Sequence, residues 1–237
     1  MVVDQLPDWE QLLAAAARLQ AILPDATLVG GTAAAITAGH RRSLDADHVM
    51  AGLIDRFDEV LAELESAAGW RTARVQRPVV IFGSLDGILT TVRNQVRVEP
   101  LETTEVAIAG STVRVPTQAE ILRIKSWLIV RRNATRDFLD VAAIASSLTE
   151  TEILVALAPM DRLYPQEGDP GGVRQQLMRQ LALPRPFDLD TLKLDEYRGL
   201  VPEWQDWSTV VHQCQRTATL MASAVATRRT GWVDLAQ

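Results

Sequence analysis

Residues 28–49 read LVGGTAAAITAGHRRSLDADHV, and the fold turns on how this stretch is understood. A short apolar run, Ala26–Val29, has the look of a buried strand. Gly30-Gly31-Thr32 breaks it and opens a short helix over Ala33–Ala38. Ser43–Val49 then alternates: Leu44 and Ala46 face one way, and Ser43, Asp45 and Asp47 face the other. Two carboxylates side by side on one strand face repel each other, so stability alone is a poor reason for them. A Mg²⁺ ion would give them a purpose, because it is held by one or two carboxylates together with phosphate oxygens. A glycine turn running into a helix N-terminus lets phosphate approach bare backbone and amides. The GxxxxGK[ST] spacing of a P-loop is absent.

Outward from this stretch, Asp8–Leu23 reads as a helix capped by Asp8 and ended by Pro24. Ala51–Ala68 is amphipathic at helical spacing. Arg71–Phe82, Gly87–Val98 and Glu105–Val115 are rich in Val, Ile and Thr and read as strands, parted by a GSLDG turn and a hairpin at Ala109-Gly110-Ser111. A helix starts at Thr117 with Glu120 as its capping-box partner. Lys125 sits on its inner face among Ile121, Leu122 and Leu128, so it needs an oppositely charged partner. The next helix begins at Asn133 or Thr135. Asp137 falls in its first turn, where the dipole favours an acid. Asp140 lies a turn further on and calls for a cation, Lys125 or an arginine. Further helices are expected over Thr149–Leu157, Val173–Leu183 and Trp207–Arg228. Met160–Gly172 and Pro184–Leu192 read as connectors, and the aromatics of Tyr197–Trp207 as a small helical core. The whole is an α/β (α+β) chain: a mixed-sheet core flanked by helices over residues 1–148, and a helical C-terminal domain over 149–237.

The 237 residues are 47% hydrophobic and 23% charged, as in ordinary globular chains. A single cysteine excludes an internal disulfide and a CxxC zinc site. No signal peptide or membrane span is expected, and a cytoplasmic location is. The net charge of −6 argues against bulk affinity for nucleic acid. Residues 71–136, however, hold eleven Arg and Lys against five Asp and Glu, leaving a basic middle in an acidic protein. His40 and His48 flank the two aspartates, but His48 faces away from them, which weakens a His/Asp metal site. A Ser/His/Asp hydrolase has no GxSxG here.

The strand, glycine turn, helix and D-x-D strand resemble the nucleotidyltransferase fold of the DNA polymerase β type. More closely, VGGTAAAITAGHRRSLDAD (29–47), ILRIKSWLIVRRNATRDFLDVAAI (121–144) and, more loosely, GLVPEWQDW (199–207) resemble the AbiEii/AbiGii-like nucleotidyltransferases. These are toxins of type IV toxin–antitoxin systems and include the mycobacterial MenT-type enzymes. The resemblance implies a transfer of a nucleoside monophosphate from an NTP, with Mg²⁺ or Mn²⁺, to an acceptor such as the 3′ end of a tRNA, and a cognate antitoxin as partner. Asp45 and Asp47 would bind the metal. Gly30, Gly31, Thr32 and Ser43 would lie at the nucleotide. Lys125, Arg131 and Arg136 would meet phosphate, and Asp137 and Asp140 would line the pocket, with Lys125 and Asp137 in the catalytic set. One departure stands out: the family's third carboxylate belongs on a later strand, and GILTTVRNQ (87–95) offers no acid, only Asp86 before it and Glu99 beyond. The alternative is therefore a catalytically weak or inactive protein that binds nucleotide or RNA on the same fold.

Overall fold

The computed structural model describes residues 9–108, 110–166, 172–192, 194 and 197–233. Asp8, Ala109 and residues 167–171 of the expected connector lie outside them. The chain forms two compact units, Met1–Thr117 and Gln118–Gln237. This boundary falls earlier than the expected division after residue 148. The two helices that follow Thr117 pack on later helices of the second unit, so long-range packing, which composition does not reveal, draws the line.

In the first unit, α1 (Trp9–Ile22) leads to β1 (Thr27–Leu28), α2 (Gly30–Ala38), β2 (Asp45–Met50) and α3 (Phe57–Ser66). Three strands follow, β3 (Trp70–Gln76), β4 (Val80–Leu85) and β5 (Ile88–Asn94), and then a separate hairpin of β6 (Thr103–Ile108) and β7 (Ser111–Pro116). The five-stranded sheet has the order β1-β2-β5-β4-β3. It is mixed, because β2 and β5 run parallel while the other neighbours are antiparallel.

Period-two alternation gives this sheet two unlike faces. Ala46, His48 and Met50 of β2 line up with Ile88, Thr90 and Val92 of β5 and with Ile81 and Leu85 of β4, and all are buried. Leu19, Leu23, Phe57, Val60 and Leu64 of the flanking helical segments close over part of this face, and Leu12, Leu13 and Ala16 over the rest. The other face carries Asp45, Asp47 and Val49 and is only half-buried along β2.

Three expected elements change. The helix over 51–68 starts only at Phe57, because Gly52 takes φ +70° and residues 51–56 close as turns, with Asp55 N–H donating to Gly52 O. The strand over 71–82 is broken at Arg77-Pro78, where proline has no N–H to give a ladder. Gly83-Ser84-Leu85, expected as turn, is the end of β4, and the reversal is made by Asp86 and Gly87 at φ 52° and 84°.

His48 sits wholly inside the covered face, its Nδ1 3.2 Å from the Ala46 carbonyl. Burial disfavours the imidazolium and lowers its pKa from 6.5 to about 4; the carbonyls of Ala46 and Ala16 oppose this more weakly. The unfolded chain takes up this proton below pH 6.5 and the folded chain does not until about 4. The stabilisation is therefore complete above 6.5 and is lost as pH falls from 6.5 to 4, by about 3 kcal/mol at the bottom of that window. Urea unfolding of the wild type at stepped pH should show the slope, and His48→Leu should remove that part of it.

The second unit is helical: α4 (Gln118–Arg132), α5 (Thr135–Ser146), α6 (Glu150–Leu157), the short α7 (Met160–Leu163), α8 (Gly172–Ala182) and α9 (Trp207–Val233). Thr149 and Glu152 form a capping box on α6. The cap of α5 comes from far away: Asp188 Oδ1 accepts from both the N–H and the hydroxyl of Thr135, each at 2.7 Å. Of the aromatics of 197–207, expected as a small core, Trp204 is core and Tyr197 and Trp207 are half-buried. Trp204 is buried, and Trp207 meets Phe138 edge to face with centroids 6.3 Å apart. Cys214 is buried, and this pushes its thiol pKa up to about 12, so it is no nucleophile.

Candidate functional site

Val29 N–H donates to the Asp47 carbonyl at 2.7 Å, continuing β1 along β2. The chain then reverses at Gly30, with φ +72°, and enters α2. The left-handed backbone requires glycine at position 30, and both glycines are closely packed. A Cβ at Gly30 would stand 2.8 Å from Asp47 Oδ2 and 3.0 Å from Asp47 Cβ. One at Gly31 would stand 2.8 Å from Ser43 Oγ and 2.9 Å from Arg41 Nη2. The turn is therefore packed directly on the acidic strand and on the basic segment before it. The N-cap, Val29, offers no side-chain acceptor to the first turn of α2, a helix end suited to an outside anion. Gly30→Ala is expected to cost about 1–2 kcal/mol from the left-handed backbone alone. It should also push the Asp47 carboxylate from its place. Thermal unfolding reads the first effect and the crystal structure of the variant the second.

The two aspartates sit as expected, half-exposed on one face of β2. Ser43 Oγ donates to Asp45 Oδ1 at 2.8 Å and fixes that carboxylate. Thr32 differs from its expected role. Its side chain is fully buried and its hydroxyl donates to the Asp45 carbonyl at 2.5 Å, so it pins α2 to β2 and cannot face a ligand. Two arginines join the site that sequence reasoning did not assign. Arg41, inside the basic triplet, returns to Gly31. Arg93 on β5 has Nη2 4.0 Å from Asp47 Oδ1. The signal for Arg41 was its place four residues before Asp45; Arg93 becomes visible only once β5 is known to pair with β2.

That pairing also shows which residues of β5 stand beside the two aspartates. Leu89 lies beside Asp45 and Thr91 beside Asp47. Asp86 is bonded to Arg18 in the β4–β5 turn. Among the described residues no group of three or more His, Cys, Asp and Glu side chains is placed to hold a metal ion. The donor set is thus two carboxylates of hard oxygen, which fits Mg²⁺ or Mn²⁺ when phosphate and water supply the remaining ligands.

The remaining candidates belong to the second unit. Lys125 Nζ lies 2.7 Å from Asp140 Oδ2 and 3.8 Å from Asp137 Oδ1, and all three side chains are almost wholly buried. Asp137 is held from its other side by Arg132, a bidentate pair at 2.5 and 2.8 Å. The lysine on an apolar face thus has its acid, as its position demanded. Arg131 is exposed, its guanidinium 5.6 Å from the Trp127 ring centre, and Trp127 stacks on Tyr164 at 4.8 Å. Arg136 is exposed on α5.

A solved structure from H. pylori, assigned as a nucleotidyltransferase, superposes with a TM-score of 0.56 at 15% identity, over 95% of this chain and 98% of that one. The fold is that of the nucleotidyltransferases. A second solved structure, ANT(2″)-Ia with adenylyl-2″-tobramycin, covers 64% of this chain and 97% of its own at a TM-score of 0.48 and 17% identity. No family model matches the chain. In sequence, 125 residues are 35% identical to the mycolic acid-containing lipids exporter MmpL11 of Mycolicibacterium smegmatis. The match covers 52% of this chain, which spans only 13% of that protein's length. Among the described residues no helix is long and apolar enough to cross a membrane.

Proposed function

We propose that the chain is a metal-dependent nucleotidyltransferase that moves a nucleoside monophosphate from an NTP to a hydroxyl acceptor. The observation that carries this is the packing of the Gly30-Gly31 turn onto Asp47, Ser43 and Arg41, with Asp45 and Asp47 on the open strand face. Mg²⁺, when bound, would neutralise triphosphate charge and stabilise the leaving oxygen. The residues of the chain do the rest. Asp45 and Asp47 hold the ion, with Ser43 keeping Asp45 in line. The first-turn amides of α2 receive phosphate oxygens, and Arg41 and Arg93 offset their charge. The acceptor oxygen bonds to the α-phosphorus, the bond from that phosphorus to the bridging oxygen breaks, pyrophosphate leaves, and the hydroxyl proton passes to water.

By resemblance the acceptor is RNA, a tRNA 3′ end, and the chain acts as a toxin with a cognate antitoxin. Lys125, Arg131 and Arg136 belong to the reading as phosphate ligands and Asp137 and Asp140 as pocket residues, with Lys125 Nζ already 2.7 Å from Asp140 Oδ2. The second reading, a nucleotide- or RNA-binding protein with little turnover, is favoured by Leu89 and Thr91 standing where an acid would serve a second ion. The test is incubation with each α-labelled NTP, Mg²⁺ and total tRNA, beside Asp45→Asn. Label transfer by the wild type alone supports the enzyme; NTP binding without transfer of any of the four selects the second reading.

A further inference from the structure

The open sheet face continues well past the aspartates, and the strand register orders it into rows. Asp47 lies beside Thr91, Thr91 beside Phe82, and Phe82 beside Arg74. Asp45 lies beside Leu89, Leu89 beside Ser84, and Ser84 beside Arg71. Arg93 stands in the next row, beside Val49. Registered neighbours share a face, so the side bearing the carboxylates also bears Leu89, Phe82 and three arginines. The three strands β3, β4 and β5 contain no Asp or Glu.

One irregularity makes this face what it is. Arg71 and Arg74 are three apart, and in an unbroken strand they would point to opposite sides. The register shifts between Thr72 and Arg74, so that Arg71 meets Ser84 and Arg74 meets Phe82, two residues on one side of β4. A bulge of one residue thus turns both arginines the same way, a known means of re-aiming a side chain beside a functional site. Arg74 lays its guanidinium 4.5 Å from the centre of the Phe82 ring. Both arginines are exposed, and Leu89 is 65% exposed beside Asp45.

We propose that this face is the track of a single-stranded polynucleotide acceptor, its reactive end at Asp45 and Asp47 and its body crossing β5 and β4 toward Arg71 and Arg74. The proposal rests on the nucleotidyl-transfer reading and deepens it. Charge runs the right way, from the carboxylates that hold the ion to arginines that hold phosphates. A flat surface lies along the way: the Arg74 guanidinium is layered on the Phe82 ring, a plane of the kind on which unstacked bases rest, and the exposed Leu89 adds apolar surface beside Asp45. Strands about 4.8 Å apart put β3 about 14 Å from β2, more than a lone small acceptor spans. A duplex is too broad and stiff to lay its bases on this surface.

The experiment is fluorescence anisotropy of a short labelled oligoribonucleotide with the full chain and Mg²⁺, across a salt series. A duplex of the same sequence is the control, and Mg²⁺–NTP binding by the wild type is measured in parallel. Arg71→Ala/Arg74→Ala should weaken the single strand at least about tenfold and reduce the slope of log K against log salt by about 1.4, at 0.7 per phosphate contact. Phe82→Leu, which keeps apolar bulk, should weaken it about tenfold and leave the slope alone. Thermal unfolding of each variant checks its fold. Unchanged binding in the arginine variant, equal or better binding of the duplex, or a wild type that binds NTP but no oligonucleotide overturns the track and leaves nucleotidyl transfer standing. A single strand lost in the variants, with no NTP bound by the wild type, leaves the track standing and sinks the transfer reading.

Discussion

Lys125→Met should lower the unfolding free energy by about 3–5 kcal/mol, enough to unfold a domain of ordinary stability partly. Asp140 is fully buried and Lys125 Nζ is 2.7 Å from its Oδ2, while the next carboxylate, Asp137, already has Arg132. Taking away the ammonium removes the cation that lies 2.7 Å from a carboxylate inside a helical core. Lys125→Met/Asp140→Asn should recover much of the loss, because both partners of the pair then go together. Denaturant titrations of the wild type, the two single variants and the double variant give the cycle. A deficit below about 1 kcal/mol for Lys125→Met would mean that the pair is not what holds α4 to α5. The same numbers govern any use of Lys125 as a phosphate ligand. Loss of nucleotide binding in a Lys125 variant means something only at a temperature where that variant is still folded.

This network shows what could be read in advance. A lysine four residues after Ile121 and three before Leu128 has to find an acid, and Asp140, apolar on both sides, has to find a cation. Two buried charges in neighbouring helices point to one another because each is costly alone. The Gly30-Gly31 turn and the D-x-D strand were legible for a similar reason, since alternation and a glycine pair leave few conformations open. What stayed hidden depends on partners distant in sequence. The Asp188 cap of Thr135 joins residues 53 apart, and nothing local marks Asp188 as a cap. The Ala73 bulge becomes visible only when β3 is laid against β4. Arg93 reaches Asp47 because β5 runs parallel to β2, a crossover that no short-range pattern encodes. The helix expected over 51–68 failed at Gly52, whose φ of +70° outweighed an apolar spacing that continues straight through it.

Asp45→Asn should separate activity from stability. Transfer of label from NTP should fall by roughly 10²- to 10³-fold, the worth of several kcal/mol of charge stabilisation at the reacting phosphate. The folded protein should nevertheless be no less stable than the wild type, and up to about 1 kcal/mol more so. Asn keeps an Oδ1 to accept from Ser43 Oγ, now 2.8 Å away, while the charge that repels Asp47 is gone. Asp47→Asn loses activity in the same way but should gain less stability, because Arg93 stands 4.0 Å from Asp47 and offsets part of its charge. A pair of acids kept at a cost to the fold is what an ion-binding site requires. If both variants were inactive and also clearly destabilised, the carboxylates would be part of the scaffold, and the loss of transfer would say nothing about a metal. Adding Mg²⁺ to the wild type completes the argument. It should raise the melting temperature of the wild type, more so with NTP present, and should do neither in Asp45→Asn, which lacks half of the pair that binds it.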